Sequence, residues 1–133
     1  MIRKNVIKLI SQSIGNSPII SANGYISRDL YEVDDKESNF YMIGSMGLSS
    51  SIALGISLNY TKKKIYVFDG DGNILMNLGS LVTVAGKKPK NFIHFVFEAK
   101  PPPSHASDNT TTPASLIIFF ISVIIGPLLN LNA

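Results

Sequence analysis

The chain has 133 residues, 45% of them hydrophobic, enough for one small domain built on a single core. It contains no cysteine, which excludes a disulfide framework or a thiolate metal site and suits a reducing, cytoplasmic setting. The net charge of +3 gathers in two loop-like lysine groups, Lys62–Lys64 and Lys87, Lys88 and Lys90, without the aromatic interleaving of a nucleic-acid site, so no nucleic-acid partner is expected.

The first segment, "MIRKNVIKLI", is basic, but its apolar residues are spaced, so it does not read as a signal peptide. Ile2, Val6, Leu9, Ile10 and Ile14 fall at helical spacing, and Gly15 follows as a stop. "PIISA" (18–22) predicts a short buried strand running into an Asn-Gly loop. "SRDLYEV" predicts a helix, with Ser27 in place to cap it. "FYMIG" (40–44) is a second strand. From Leu48 to Tyr60 the pattern is helical, with Leu48, Ile52 and Ile56 as the apolar stripe and Gly47, Ala53 and Gly55 allowing close approach to a sheet. "KKIYVFD" is a third strand, "ILMNLGSLVTVAG" a helix closed by Gly86, and "NFIHFVF" (91–97) a fourth strand.

Strands that are apolar throughout, alternating with helices, predict an α/β fold: a parallel sheet with helices on both faces. Ligands in such sheets bind beyond the carboxyl ends of the strands. The loops there read "NGYIS", "GSMG", "GDGN" and "EAKPPP". Glycine in the first three lets backbone approach a phosphate or a ring closely.

The "GDGN" turn places Asp71 between Gly70 and Gly72, with Asn73 opening a helix. Such a frame presents a hard oxygen ligand, and a divalent ion on Asp71 could neutralise a diphosphate resting there. An ordinary polar turn has the same composition. The spacing D-x-D-G at a strand end also matches a haloacid-dehalogenase-like phosphatase, with Asp69 as nucleophile and Asp71 as acid/base. That chemistry needs a later acidic pair, and downstream only Glu98 and Asp108 are present, separated by prolines.

"NFYMIGSMGLSSSIALGISL", "YVFDGDGNILMNLGSLVTVA" and "PKNFIHFVFE", in that order, resemble the diphosphate-binding domain of thiamine diphosphate enzymes. Within them the likeness is to sulfopyruvate decarboxylase beta chains and the matching half of phosphonopyruvate decarboxylase. It spans about residues 1–98, taken as one domain, and includes the "SANGYISRDLY" segment. The resemblance implies thiamine diphosphate and Mg2+ as cofactors and decarboxylation of a 2-oxo acid. Asp71 would ligate magnesium, with Gly70 in the same motif, and Gly72 and Asn73 would meet the diphosphate. Gly44 and Met46 would hold the aminopyrimidine through backbone groups, the Met46 side chain bending the cofactor. Asn23 and Gly24 would lie near the diphosphate, and Ser45 would support the loop or simply be small. His94 is expected to be a core histidine; Arg28 would face an anionic substrate or be solvated. The activating glutamate of the family sits on a separate pyrimidine-binding domain, so a partner chain and an oligomer are implied.

Two departures stand out. Where the resemblance implies an Asn metal ligand after the fourth strand, this chain has Ala99, and the expected backbone carbonyl ligand falls on Pro101. Residues 99–133 form an atypical tail, a Pro/Thr-rich linker and then an apolar run, which reads as an unrelated ending on a truncated domain. The apolar stretch 114–129 is shorter than the about 20 residues a membrane span needs, so it is expected to cover the sheet or to aggregate rather than to span a bilayer.

Overall fold

A computed structural model describes residues 3–97. Ile2, Ala99, Pro101 and the tail 99–133 lie outside the described residues. Nine elements follow in order: α1 (Arg3–Ser13), β1 (Ile19–Ser21), α2 (Tyr25–Asp34), β2 (Asn39–Tyr41), α3 (Ser49–Asn59), β3 (Ile65–Gly70), α4 (Asp71–Leu75), α5 (Gly79–Lys87) and β4 (Phe92–Phe97).

All strand pairings are parallel, in the order β2-β1-β3-β4. The chain winds outward from β1 to β2, then returns across β1 to lay down β3 and β4 on the other side. The winding therefore reverses between β1 and β3, which opens a crevice at their carboxyl ends. The backbone is continuous there, since the Ala22 N–H donates to Phe68 O at 2.7 Å just past β1.

Side chains of β3 alternate between two cores, as a pleated strand dictates. Tyr66 and Phe68 join Val6, Ile7, Ile26 and Leu30 under α1 and α2. Ile65 and Val67 join Ala53, Leu54, Val84 and Phe92 under α3 and α5. Helices thus cover both faces, as the sequence pattern predicts. Asp69 follows the same alternation, which turns it toward α3.

Three expectations are corrected. In α1, Val6 and Ile7 are buried, whereas Leu9 is 59% exposed. In α3 the buried face is Ser49, Ser50, Ala53, Leu54 and Ser57, while Ile52 and Ile56 only flank the core and Leu48 is exposed. Small residues let the helix approach the sheet, and each buried hydroxyl finds a partner: Ser50 meets Ser80 at 2.7 Å, and Ser57 donates to Leu54 O. The single helix expected over 74–86 is two helices, broken at Met76–Leu78 by i→i−3 hydrogen bonds such as Asn77 N–H to Ile74 O. The second ends on Lys88, in the left-handed region at φ 47, rather than on Gly86.

Candidate functional site

Three loops converge on the crevice. The first follows β1 and contains Asn23 and Gly24. Gly24, at φ 81, caps α2 with no side-chain hydrogen bond. Ser27 is not the cap: it lies within the helix, buried, with its hydroxyl 2.7 Å from Ala22 O and from Ser21 Oγ. It ties α2 to the end of β1 instead.

The second loop, after β2, contains Gly44, Ser45, Met46 and Gly47. Ser45 sits at φ 54 and Gly47 at φ 94, so two left-handed residues turn the chain sharply around Met46. A Cβ on Gly47 would fall 3.1 Å from the Cβ atoms of both Met76 and Asn77, so only glycine fits there. The third loop runs from Gly70 into α4, which begins at Asp71 rather than at Asn73. A Cβ on Gly70 would come 3.4 Å from Ile26, which brings α2 against this loop. A Cβ on Gly72 would lie 3.5 Å from the Met46 methyl group, so the structure brings the second and third loops together at those residues. Gly24 and Gly44 have open space around the corresponding position.

The two carboxylates of the motif have opposite surroundings. Asp71 is partly exposed, and only its Oδ1 is engaged, accepting the Gly72 N–H at 2.8 Å. Asp69 is buried at 1% exposure and surrounded by donors. Its Oδ1 accepts from the Gly70 N–H at 2.9 Å and from Asn73 Nδ2. Its Oδ2 accepts from Ser49 Oγ at 2.9 Å and faces His94 Nε2 at 3.0 Å. Four contacts fill the capacity of a carboxylate. A group so enclosed cannot reach an incoming phosphate, which removes the geometric basis for Asp69 as a nucleophile. The protein is therefore expected to show no phosphomonoester hydrolysis above background in magnesium. Hydrolysis abolished by Asp69→Asn would restore the phosphatase reading.

Asn73 uses its whole carboxamide inside the fold. Oδ1 accepts the Gly47 N–H at 2.7 Å, and Nδ2 donates to Ser49 Oγ at 2.9 Å as well as to Asp69. Asn77, one helical turn on, donates from Nδ2 to Gly47 O at 3.1 Å. His94 is buried as expected, but Nδ1 has no partner among the described residues. Ser49, Asn77 and the buried role of Asp69 escaped the reading of the motifs. Asparagines four apart right after "GDG", and serines among the small residues of the preceding helix, were the available signal.

Arg28 stacks on Tyr25, its guanidinium carbon 5.6 Å from the ring centroid, and makes no ion pair among the described residues. By contrast Arg3 pairs with Asp29, and Lys4 with Glu32. Arg28 lines a cavity of about 420 Å3 with Ser27, Tyr31, Glu32 and Tyr41. Burial, reinforced by its hydrogen bond to Asp35, pushes the Tyr41 hydroxyl up to about 12, against the lowering effect of Asn39.

Glycine loops converging where a parallel sheet reverses its winding define an α/β cofactor-binding domain. The chain belongs to the thiamine pyrophosphate enzyme C-terminal TPP-binding domain family, which matches residues 13–99. It is 52% identical over 97 residues to sulfopyruvate decarboxylase subunit beta of Methanocaldococcus jannaschii, covering 72% of this chain and 51% of that protein. The corresponding subunit of Methanothermobacter thermautotrophicus is 45% identical over 91 residues, 68% of this chain and 49% of the relative. Phosphonopyruvate decarboxylase of Streptomyces viridochromogenes is 40% identical over 91 residues, covering 68% of this chain and 23% of that protein. The chain therefore spans about half the length of the beta subunits it matches. No helix among the described residues is long and apolar enough to cross a membrane.

Proposed function

We propose that the chain is the thiamine diphosphate- and magnesium-binding portion of a 2-oxo acid decarboxylase acting on sulfopyruvate or 3-phosphonopyruvate. The approach of the Met46 methyl group to Gly72, 3.5 Å from where a Cβ there would lie, carries this reading, because it brings the loop assigned to the aminopyrimidine beside the loop assigned to the diphosphate.

The donor set fits the cofactor in part. Asp71 offers an accessible carboxylate, but among the described residues it is not joined by a group of three or more acidic, histidine or cysteine side chains. A magnesium ion there would draw its remaining ligands from diphosphate oxygens, backbone and water, its usual preference. Asn73 would serve the diphosphate loop through its backbone, because its side chain is committed elsewhere. The bound cofactor supplies the chemistry that stabilises the carbanion left by loss of carbon dioxide. This chain's residues orient it: Met46 packs from one side, Gly72 leaves room for that approach, and Asp71 fixes the charged end.

The pyrimidine end needs a partner chain, the role implied by relatives named as beta subunits. Ile43, fully exposed, and half-exposed Met46 at the crevice, with exposed Leu75 and Met76 beside it, offer an apolar surface for that partner in a cytoplasmic oligomer. A chimera continuing residues 1–98 with the corresponding end of the M. jannaschii beta subunit, combined with that enzyme's other subunit, tests the reading. It is expected to release carbon dioxide from sulfopyruvate or 3-phosphonopyruvate but not from pyruvate, and to lose this with Asp71→Ala. A folded, assembled chimera inactive on both anionic substrates would favour the alternative that the chain is a non-catalytic remnant or a domain that only assembles with a partner.

A further inference from the structure

We infer that Asn77 is a positioning residue: with Asn73 it forms a two-point clamp on Gly47 that sets the spacing between the 44–47 loop and the 70–73 loop. The inference rests on the reading that these loops hold the two ends of one cofactor.

Both backbone polar groups of Gly47 are held by carboxamides from the segment after "GDG". The N–H donates to Asn73 Oδ1 at 2.7 Å, and the carbonyl accepts from Asn77 Nδ2 at 3.1 Å. The orientation of the Asn73 amide is dictated by its neighbours. A backbone N–H requires an oxygen on one side, and the Asp69 carboxylate requires a nitrogen on the other. Asp69 is in turn fixed by Ser49, His94 and its own strand, so the clamp is anchored in the sheet.

The remaining freedom of the loop is removed by shape. At φ 94, with the Cβ atoms of Met76 and Asn77 3.1 Å from where its own Cβ would lie, Gly47 packs closely on the turn that follows α4. Met46 is the adjacent residue, so its distance from Gly72 follows from the clamp. Residues 73 and 77 face the same way because they are four apart on a helical turn, and the break at Met76–Leu78 comes where Asn77 turns to reach Gly47.

A clamp that only spaces two loops should affect a ligand that bridges them and spare a ligand that occupies one. The test uses the full chain with Asn77→Ala and with Asn77→Asp, which keeps the shape but removes the amide donor. The Gly47 amide keeps its own acceptor, Asn73 Oδ1, but the loop opens with one hydrogen bond fewer once the Gly47 carbonyl is released, so by NMR hydrogen exchange at that amide is expected to quicken about tenfold in both variants. The Ala22 and Tyr66 amides, bonded within the sheet, should be unchanged. Titrations in magnesium should show thiamine diphosphate weakened about fivefold to tenfold and inorganic pyrophosphate unaffected. An unchanged Gly47 amide, equal acceleration in the sheet, or an Asn77→Asp protein that behaves as the original would overturn the clamp. Equal weakening of both ligands would overturn its positioning role. If the original chain binds neither ligand, the same titrations on the assembled chimera decide the positioning role, a chimera that also binds neither overturns the cofactor reading, and the Gly47 amide still decides the clamp.

Discussion

Replacing Asp69 by alanine is expected to destabilise the domain by about 3–5 kcal/mol, the cost of removing one partner from a buried, charged hydrogen-bonded set. The substitution leaves Asn73 Nδ2, Ser49 Oγ, His94 Nε2 and the Gly70 N–H facing an apolar void. Ser49, Asn73 and His94 cannot turn to water, because they are themselves buried. Asp69→Asn should cost less but still be unfavourable, since one carboxylate oxygen becomes an amide donor facing donors. Asp71→Ala, two residues on, removes one local contact at a partly exposed site and should change stability by no more than roughly 0.5 kcal/mol. Urea unfolding of the three variants measures the contrast. Equal midpoints for Asp69→Ala and Asp71→Ala would show that the buried network contributes nothing to stability.

That contrast also shows where sequence reasoning reaches its limit. Both aspartates lie in one motif, and neither composition nor spacing says which is buried. Strand alternation does say it, once Ile65 and Val67 are known to face α3, because Asp69 shares their parity. The parallel sheet was legible because its strands are apolar on both faces, and the loops were legible because glycine marks them. The close approach of α3 is legible at Ala53, which is buried, but apolar periodicity points to Leu48, Ile52 and Ile56, whereas the buried face is completed by serines whose hydroxyls pair locally. The break after α4 was hidden for another reason. Asn77 and Gly79 are weak helix formers within "ILMNLGSL", and at the break Asn77 makes a tertiary bond to Gly47 O, which the sequence pattern does not reveal. Ser27 was misplaced similarly, since a hydroxyl near a helix start suits a cap but here reaches back to β1.

The other large effect concerns residue 99, where the family match ends. The resemblance to thiamine diphosphate enzymes implies a metal-ligating Asn at the position of Ala99, and alanine supplies no side-chain oxygen. On the proposed reading, Asp71 would then be the anionic ligand that the described residues supply, and water would have to replace a donor around an ion that demands near-octahedral oxygen coordination. The isolated chain is therefore expected to bind thiamine diphosphate weakly and to decarboxylate nothing by itself. Ala99→Asn in a chain given a family-like ending and its partner should restore magnesium-dependent binding, with an affinity gain of at least about tenfold, the low end of what even an outer-shell partner contributes at a metal site. Asp71→Ala should then abolish it, whereas Asn77→Ala should only weaken it, because the first removes the ion and the second alters the loop spacing. Calorimetry with and without magnesium separates these cases. Tight, magnesium-dependent binding by the unmodified chain alone would mean that residue 99 contributes nothing to the metal site and that Asp71, backbone and water suffice.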